Sequence, residues 1–457
     1  MIHTKIDTET QADIKIFGKI DGFFNQFKIA TSLHQCGIRK RHGHSVRKLI
    51  LAIFTLPFVG QNFFRGIATN DTLAFGKDAA YDVLKGCQSN WRKLLLGIGT
   101  KLYGFLNRLT DEDRESVLIV DDSPYDRSRS KAVELLSRVW DHSNDRYIKG
   151  FRMLTVCWSD GYSCLPLDFS LLSSADAKNR LCDNRKSMDK RCCAWQRRQE
   201  AVVKAPENLE AMVERILAAG VRARYLLMDS WFAMPATITA LAKNINVIGM
   251  VKKTPKIHYE YNGHSMDVKA IYRQIKKRRG RAKILASALV TLKGGQSARL
   301  VFVRDRRKTD WLALISTDLD LSNEDIVRIY GKRWDIEVFF KMAKQHLKLA
   351  KEMQCRDYDA LVAHTTIVFL RYMFLAYQHR IETDDRTFGE LFYACCDEVS
   401  DISFVESLYR IMTLAGNELK KLGQYCEKTA TAFFDAVMTT ALKCSGLLEK
   451  RKLASNS

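Results

Sequence analysis

The chain has 457 residues, 46% of them hydrophobic, enough to build cores in about two to four units. Its 73 Lys and Arg against 52 Asp and Glu leave a net charge of +21, which points to a polyanionic partner, nucleic acid being the simplest. The longest apolar stretches, residues 49–60 and 365–377, are broken by Pro57 and Arg371 and are too short to span a bilayer. Residues 1–15 carry acids and lack an apolar core, so neither a membrane partner nor a secretory signal is expected.

In chain order, residues 1–110 read as helical. Within them, residues 38–48 form a basic turn, with Arg39, Lys40 and Arg41, that opens an apolar helix over residues 49–56. Such a turn either docks on phosphates and presents side chains to a groove, or is a solvated loop. Residues 116–120 are a short apolar run ending in Asp121-Asp122-Ser123-Pro124, and residues 223–228 another ending in Asp229-Ser230-Trp231. Both read as strands buried on two faces and stopped by polar residues. Between them, Ser159-Asp160-Gly161 predicts a hairpin turn. Residues 173–204 are dense in cations, including Arg185, Lys186, Arg197 and Arg198, and read as a mobile loop or a DNA-binding track. Residues 252–310 predict strands with a further cation cluster and an Asn262-Gly263 hairpin turn. Residues 360–380 read as an apolar helix covering the sheet, and residues 385–457 as helical pieces with a frayed tail.

A carboxylate at the end of a buried strand is well placed in the crevice of an open α/β sheet. Asp121 and Asp122 compete for the first such position. Strand alternation sends them to opposite faces, and Asp121 is preferred because Ser123 shares its side. The third acid comes from residues 329–344, a helix with a Ser322 to Asp325 capping box. At about 100° per residue, Tyr330, Arg333, Glu337 and Lys344 fall within roughly 60° of one another. One face therefore offers a hydroxyl, a guanidinium, a carboxylate and an ammonium. Arg333 and Glu337 are also spaced as an ordinary ion pair. Two strand-end aspartates and a helix glutamate supply the hard oxygen ligands that Mg²⁺ prefers.

The twelve cysteines are scattered and include no C-x-x-C pair, which removes zinc-finger spacing. They read as reduced thiols, hence a cytoplasmic protein. Cys182 with Cys192 and Cys193 is a weak chelating alternative.

With these residues in place, the chain resembles the DDE transposases of bacterial insertion sequences, specifically the insertion-sequence-four branch. That branch carries a Tyr-x2-Arg-x3-Glu-x6-Lys signature, matched at every spacing by Tyr330, Arg333, Glu337 and Lys344. Its first acid is matched by Asp121 in Val120-Asp121-Asp122-Ser123, and its second by Asp229. Ser123 stands where Thr is often found, and Ser230 where some relatives carry Arg or Gly.

The resemblance implies an α/β fold. A ribonuclease-H-like catalytic domain (residues 115–251 and 311–350) would be interrupted by a β-rich insertion (252–310). It would be flanked by a helical N-terminal DNA-binding domain (1–110) and a helical C-terminal region (351–457). It implies that Asp121, Asp229 and Glu337 bind two Mg²⁺ or Mn²⁺ ions. Tyr330, Arg333 and Lys344, with Arg39, Lys40 and Arg41 elsewhere, would contact double-stranded DNA: the terminal inverted repeats and the target. A homodimer in the synaptic complex and a nucleoid-associated bacterial location follow from the same resemblance. A nuclease of the same fold that cuts without joining, and a DNA-binding regulator without activity, are the rival readings.

Overall fold

The structure, a computed structural model, describes residues 18–70, 73–110, 114–141, 144–183, 188–278, 280, 282–305, 310–381 and 387–397, with isolated positions between 404 and 440. Several expectations lie outside these residues: the N-terminal stretch 1–17, the cations Arg185, Lys186, Arg279, Arg281, Arg306, Arg307 and Lys308, and most of the region after 397, tail included.

The chain divides into two compact units. The smaller combines the N-terminal segment to Lys28, Thr55–Gln61 and the C-terminal part from Arg386. Among its described residues, α1 (Lys19–Gln26) buries Ile20, Phe23 and Phe24, and Phe58 meets Phe392 at 5.3 Å between ring centroids.

The larger unit holds Ile29–Phe54 and Asn62–Asp385. It opens with α2 (Ile29–Gln35), α3 (Val46–Thr55, whose last residue falls to the other unit), α4 (Lys77–Leu84) and α5 (Trp91–Asn107). The amide of Lys93 donates to the side chain of Asn90, which caps α5. Leu94, Leu95, Ile98, Leu102 and Leu106 then recur at helical spacing and form its buried stripe.

The strands follow: β1 (Val117–Asp126), β2 (Ser137–Asp141), β3 (Arg146–Ser159) and β4 (Cys164–Leu172). Next come α6 (Cys193–Glu200), α7 (Ala205–Ala218), β5 (Tyr225–Met228), α8 (Pro235–Leu241) and β6 (Asn246–Met250). After these are β7 (His258–Tyr261), β8 (His264–Asp267), α9 (Val268–Gln274), β9 (Ile284–Thr291), β10 (Ser297–Arg304) and β11 (Trp311–Ser316). The unit closes with α10 (Asn323–Tyr330), a 3₁₀ turn (Gly331–Arg333), α11 (Trp334–Gln345) and α12 (Tyr358–Ile381).

All of these strands join one 11-stranded sheet in the order β2-β3-β1-β5-β6-β11-β10-β9-β7-β8, with β4 also on β3. β1, β5 and β6 run parallel, while β3 and β11 run antiparallel to their inner neighbours. This mixed sheet with its helices is compatible with the ribonuclease-H-like fold that the resemblance implies. The segment 252–310 continues the same sheet through β11, which pairs with both β6 and β10. In its hairpin, Asn262 and Gly263 have φ of 50° and 75°, the two positive values that a tight I′ turn needs.

Three sequence expectations change. β1 does not stop at Asp121. It continues beside β3 to Asp126, and only its pairing with β5 ends at Val120. Pro124 is tolerated because the β5 side of the strand is open by then. Arg197 and Arg198 are not part of a cationic track. Both are buried, Arg197 on Asp359 (2.6 Å) and Arg198 on Glu134 (2.7 Å) and Asp359 (2.9 Å). Finally, α12 is long and apolar enough to cross a membrane by length and composition, although the uninterrupted apolar run is not; 94% of its most apolar window is buried within the fold.

Arg371 sits fully buried within α12 and donates to the carbonyls of Ile53, Phe54 and Leu347 while pairing with Glu352 at 2.9 Å. Burial pushes the Glu352 carboxyl up, but Arg371 and His364 outweigh it and hold it below its ordinary value. Removing one partner strands the other charge in the core, so Arg371→Ala is expected to destabilise the protein by ~3–5 kcal/mol. A denaturation midpoint would read this, and the double variant Arg371→Met, Glu352→Leu should recover much of the loss.

Candidate active site

Register brings the first two acids together. Val120 of β1 pairs with Met228 of the parallel β5, so Asp121 and Asp229 are the next residues along neighbouring strands. Gly249 of β6 pairs with Met228 in turn. A Cβ on Gly249 would lie 2.9 Å from the Ala233 Cβ and 3.1 Å from the Met228 side chain, so glycine lets the turn after β5 pack closely. The Asp229 carboxylate caps that turn by accepting from the amides of Trp231 (2.9 Å) and Phe232 (3.3 Å). Asp121 accepts from the amide of Asp122 at 2.8 Å.

The third acid arrives on the helical run. Ser322 caps α10 by accepting from the Asp325 amide at 3.0 Å, and its hydroxyl donates to the Asp325 carboxylate. The run is not one continuous α-helix, since a 3₁₀ turn over Gly331–Arg333 tightens it between α10 and α11. Arg333 ends that turn. Its guanidinium lies 3.8 Å from the Asp121 carboxylate and also pairs with Glu337, one turn on. On the opposite face of α11, Asp335 accepts from Ser159 at 2.6 Å. Glu337 is thus the acid that shares a site with Asp121.

The electrostatics report the convergence. Burial pushes Asp121 up, the anions of Asp229 and Glu337 push further, Arg333 opposes them, and the carboxyl settles at about 7. The Tyr330 hydroxyl is buried with no acceptor for its proton, and burial, with Asp229 and Asp121 nearby, outweighs Arg333 and raises it well above its ordinary value. The Arg333 guanidinium carbon lies 6.0 Å from the Tyr330 ring centroid. Burial lowers Lys344, against the pull of Asp141, Asp121 and Asp126. Tyr330, Arg333 and Lys344 are therefore all within reach of the Asp121 field. Arg39, Lys40 and Arg41 stand in the separate loop before α3: Arg39 and Arg41 are exposed, and Lys40 pairs with Asp82 of α4 at 3.4 Å.

Sequence reasoning missed Arg152. This β3 residue pairs with Asp122, and it lies in the field of Asp229 and Asp121. Its placement depends on the β1–β3 register, which carries no local sequence signal. Asp122 is thereby held by a cation of its own.

Among the described residues, no three His, Cys, Asp or Glu side chains are close enough to grip one ion. Arg333 is wedged between Asp121 and Glu337. The donor set nonetheless fits a divalent cation: burial first, and the neighbouring carboxylates after it, keep a proton on Asp121 near neutrality, and a cation would take that proton's place.

A raised folded-state value means that protonated Asp121 stabilises the fold below about pH 4 and that this contribution is lost as pH rises through about 7. Without divalent ions, the melting temperature should fall across that window. Asp121→Asn should flatten this component of the profile, and added Mg²⁺ should restore the wild-type protein above pH 7. An Asn variant with an unchanged slope would refute the assignment.

A family profile described as DDE superfamily endonuclease matches residues 66–306, just over half of the chain. The match includes Asp121 and Asp229 and ends before Glu337. No curated protein matches the chain. That superfamily acts on DNA and typically uses divalent metal ions. With two of the three converging acids inside the matched region, the chain belongs to the DDE superfamily of endonucleases.

Proposed function

We propose that this protein is the transposase of a bacterial insertion sequence, of the insertion-sequence-four branch, cleaving DNA at the element's ends and joining them to a target. The observation that carries this reading is the electrostatic convergence of Asp229 and Glu337 on Asp121, from two strands and a helix. Asp121, Asp229 and Glu337 would hold Mg²⁺ or Mn²⁺, two ions in all. Bound there, such ions stabilise charge on phosphoryl oxygens and supply a nucleophile at neutral pH.

The chain's own groups do the rest. Arg333 is shared between Asp121 and Glu337 in the absence of DNA, and it neutralises phosphate charge once the acids are satisfied otherwise. Tyr330 holds a buried hydroxyl with no acceptor, and a phosphate oxygen of the DNA end supplies one. Lys344 adds a desolvated cation on the same side. Arg39, Lys40 and Arg41 take backbone phosphates of the terminal inverted repeat. A homodimer pairs the two ends of the element, and the protein works at the bacterial nucleoid.

The second reading is a nuclease that cuts without joining, favoured by the endonuclease description of the matched family. Pre-cleaved 3′-hydroxyl ends of the flanking repeats, incubated with a target plasmid and Mg²⁺, separate the two: joined product supports the transposase, and cleavage without joining supports the nuclease. Asp121→Asn, Asp229→Asn and Glu337→Gln should each lower cleavage by more than the roughly 10–100-fold that loss of an outer-shell metal partner costs. DNA binding should persist in all three. Arg333→Ala should reduce the single-turnover cleavage rate by about 10²-fold, as removal of one transition-state charge partner does. Cleavage unchanged in the acid variants would leave only a DNA-binding regulator.

A further inference from the structure

Trp231 follows Asp229 by two residues, on the turn whose amides cap that carboxylate, yet 42% of its surface is exposed. Two cations lie against its indole. The Arg152 guanidinium carbon is 4.9 Å from the ring centroid, and the Lys252 ammonium is 5.6 Å away. They come from opposite sides of the β1–β5 pair. Arg152 belongs to β3, which flanks β1, and Lys252 follows β6, which flanks β5. The two cations therefore meet over the strands that carry Asp121 and Asp229. Arg152 is also tied to Asp122, which fixes it at the edge of the acid cluster, while Lys252 is exposed and able to exchange the ring for another partner.

An aromatic face flanked by cations suits a nucleic-acid strand. Stacking on an indole accepts any base, and the cations neutralise the phosphates on either side. If the cations served only to pin the turn, burial of the tryptophan would do so more effectively, and Lys252 would have no reason to stay exposed. We infer that Trp231, Arg152 and Lys252 form a docking patch for the DNA strand on the Asp229 side of the acids, with the indole stacking a base and the two cations holding its phosphates. The inference rests on the reading of those acids as a DNA-cutting centre, and it adds how the strand is held beside them.

The test uses the full chain with a labelled mixed-sequence DNA oligonucleotide, single-stranded and duplex, in fluorescence anisotropy without divalent ions across a salt series. Trp231→Ala should weaken single-strand binding roughly ten-fold and duplex binding less, with Trp231→Phe retaining most of it. Lys252→Gln, at an exposed position where the fold is not at risk, should reduce the slope of log affinity against log salt by about 0.7 on the single strand. Wild-type affinity in Trp231→Ala, or a wild-type slope in Lys252→Gln, overturns the patch. If the unmodified chain still cleaves DNA in Mg²⁺, the cutting centre survives that result. An unmodified chain that neither binds nor cleaves DNA removes both.

Discussion

Everything at the candidate site depends on forcing like charges together. Asp121 and Asp229 end up side by side because β1 and β5 pair in parallel with Val120 opposite Met228, and the apolar pairs beneath them fix that register. Both strands are fully buried over these pairs, so a slip would expose the core as well as separate the acids. The sheet thus supplies the free energy that holds the carboxylates against their mutual repulsion. Burial and that repulsion together keep a proton on Asp121 to about pH 7. Arg333 and Arg152 answer the same repulsion from two directions, one from the helical run and one from β3.

A net charge of +21 invites the idea that cations coat a nucleic-acid surface, and the fold shows how selective that idea has to be. Arg197, Arg198 and Arg371 are buried, each satisfied by carboxylates or carbonyls. They serve as internal ties, and their loss would be felt in folding before it was felt in binding. The cations that remain candidates for DNA are the exposed or half-exposed ones, in the loop before α3 and near the acids. There the sheet gathers Lys252 and Arg152 over Trp231, while Arg333 reaches in from the other element.

Features written in short-range pattern were legible in the sequence. The apolar runs before Asp121 and Asp229 form β1 and β5, Ser322 caps its helix, and Asn262-Gly263 makes its turn, because burial, capping and positive φ are each decided within a few residues. Strand alternation separates Asp121 from Asp122: the first lies in the field of Asp229 and Glu337, the second pairs with Arg152. Features set by long-range register were not legible. The extension of β1 to Asp126, the reach of Arg152 and the burial of Arg197 and Arg198 all depend on which distant segment arrives alongside. The 3₁₀ turn within the signature helix escaped for another reason: Gly331 and its neighbours fit either helical form, so composition does not choose between them.

Arg371 has a second consequence, for the newly made chain. Before the core exists, α12 is a 24-residue apolar segment that an insertion machinery could mistake for a bilayer span. A guanidinium near the centre of such a segment raises the cost of entering lipid by about 2.5–3.5 kcal/mol. The residue that later ties α12 to Glu352 thus also biases the nascent segment toward water.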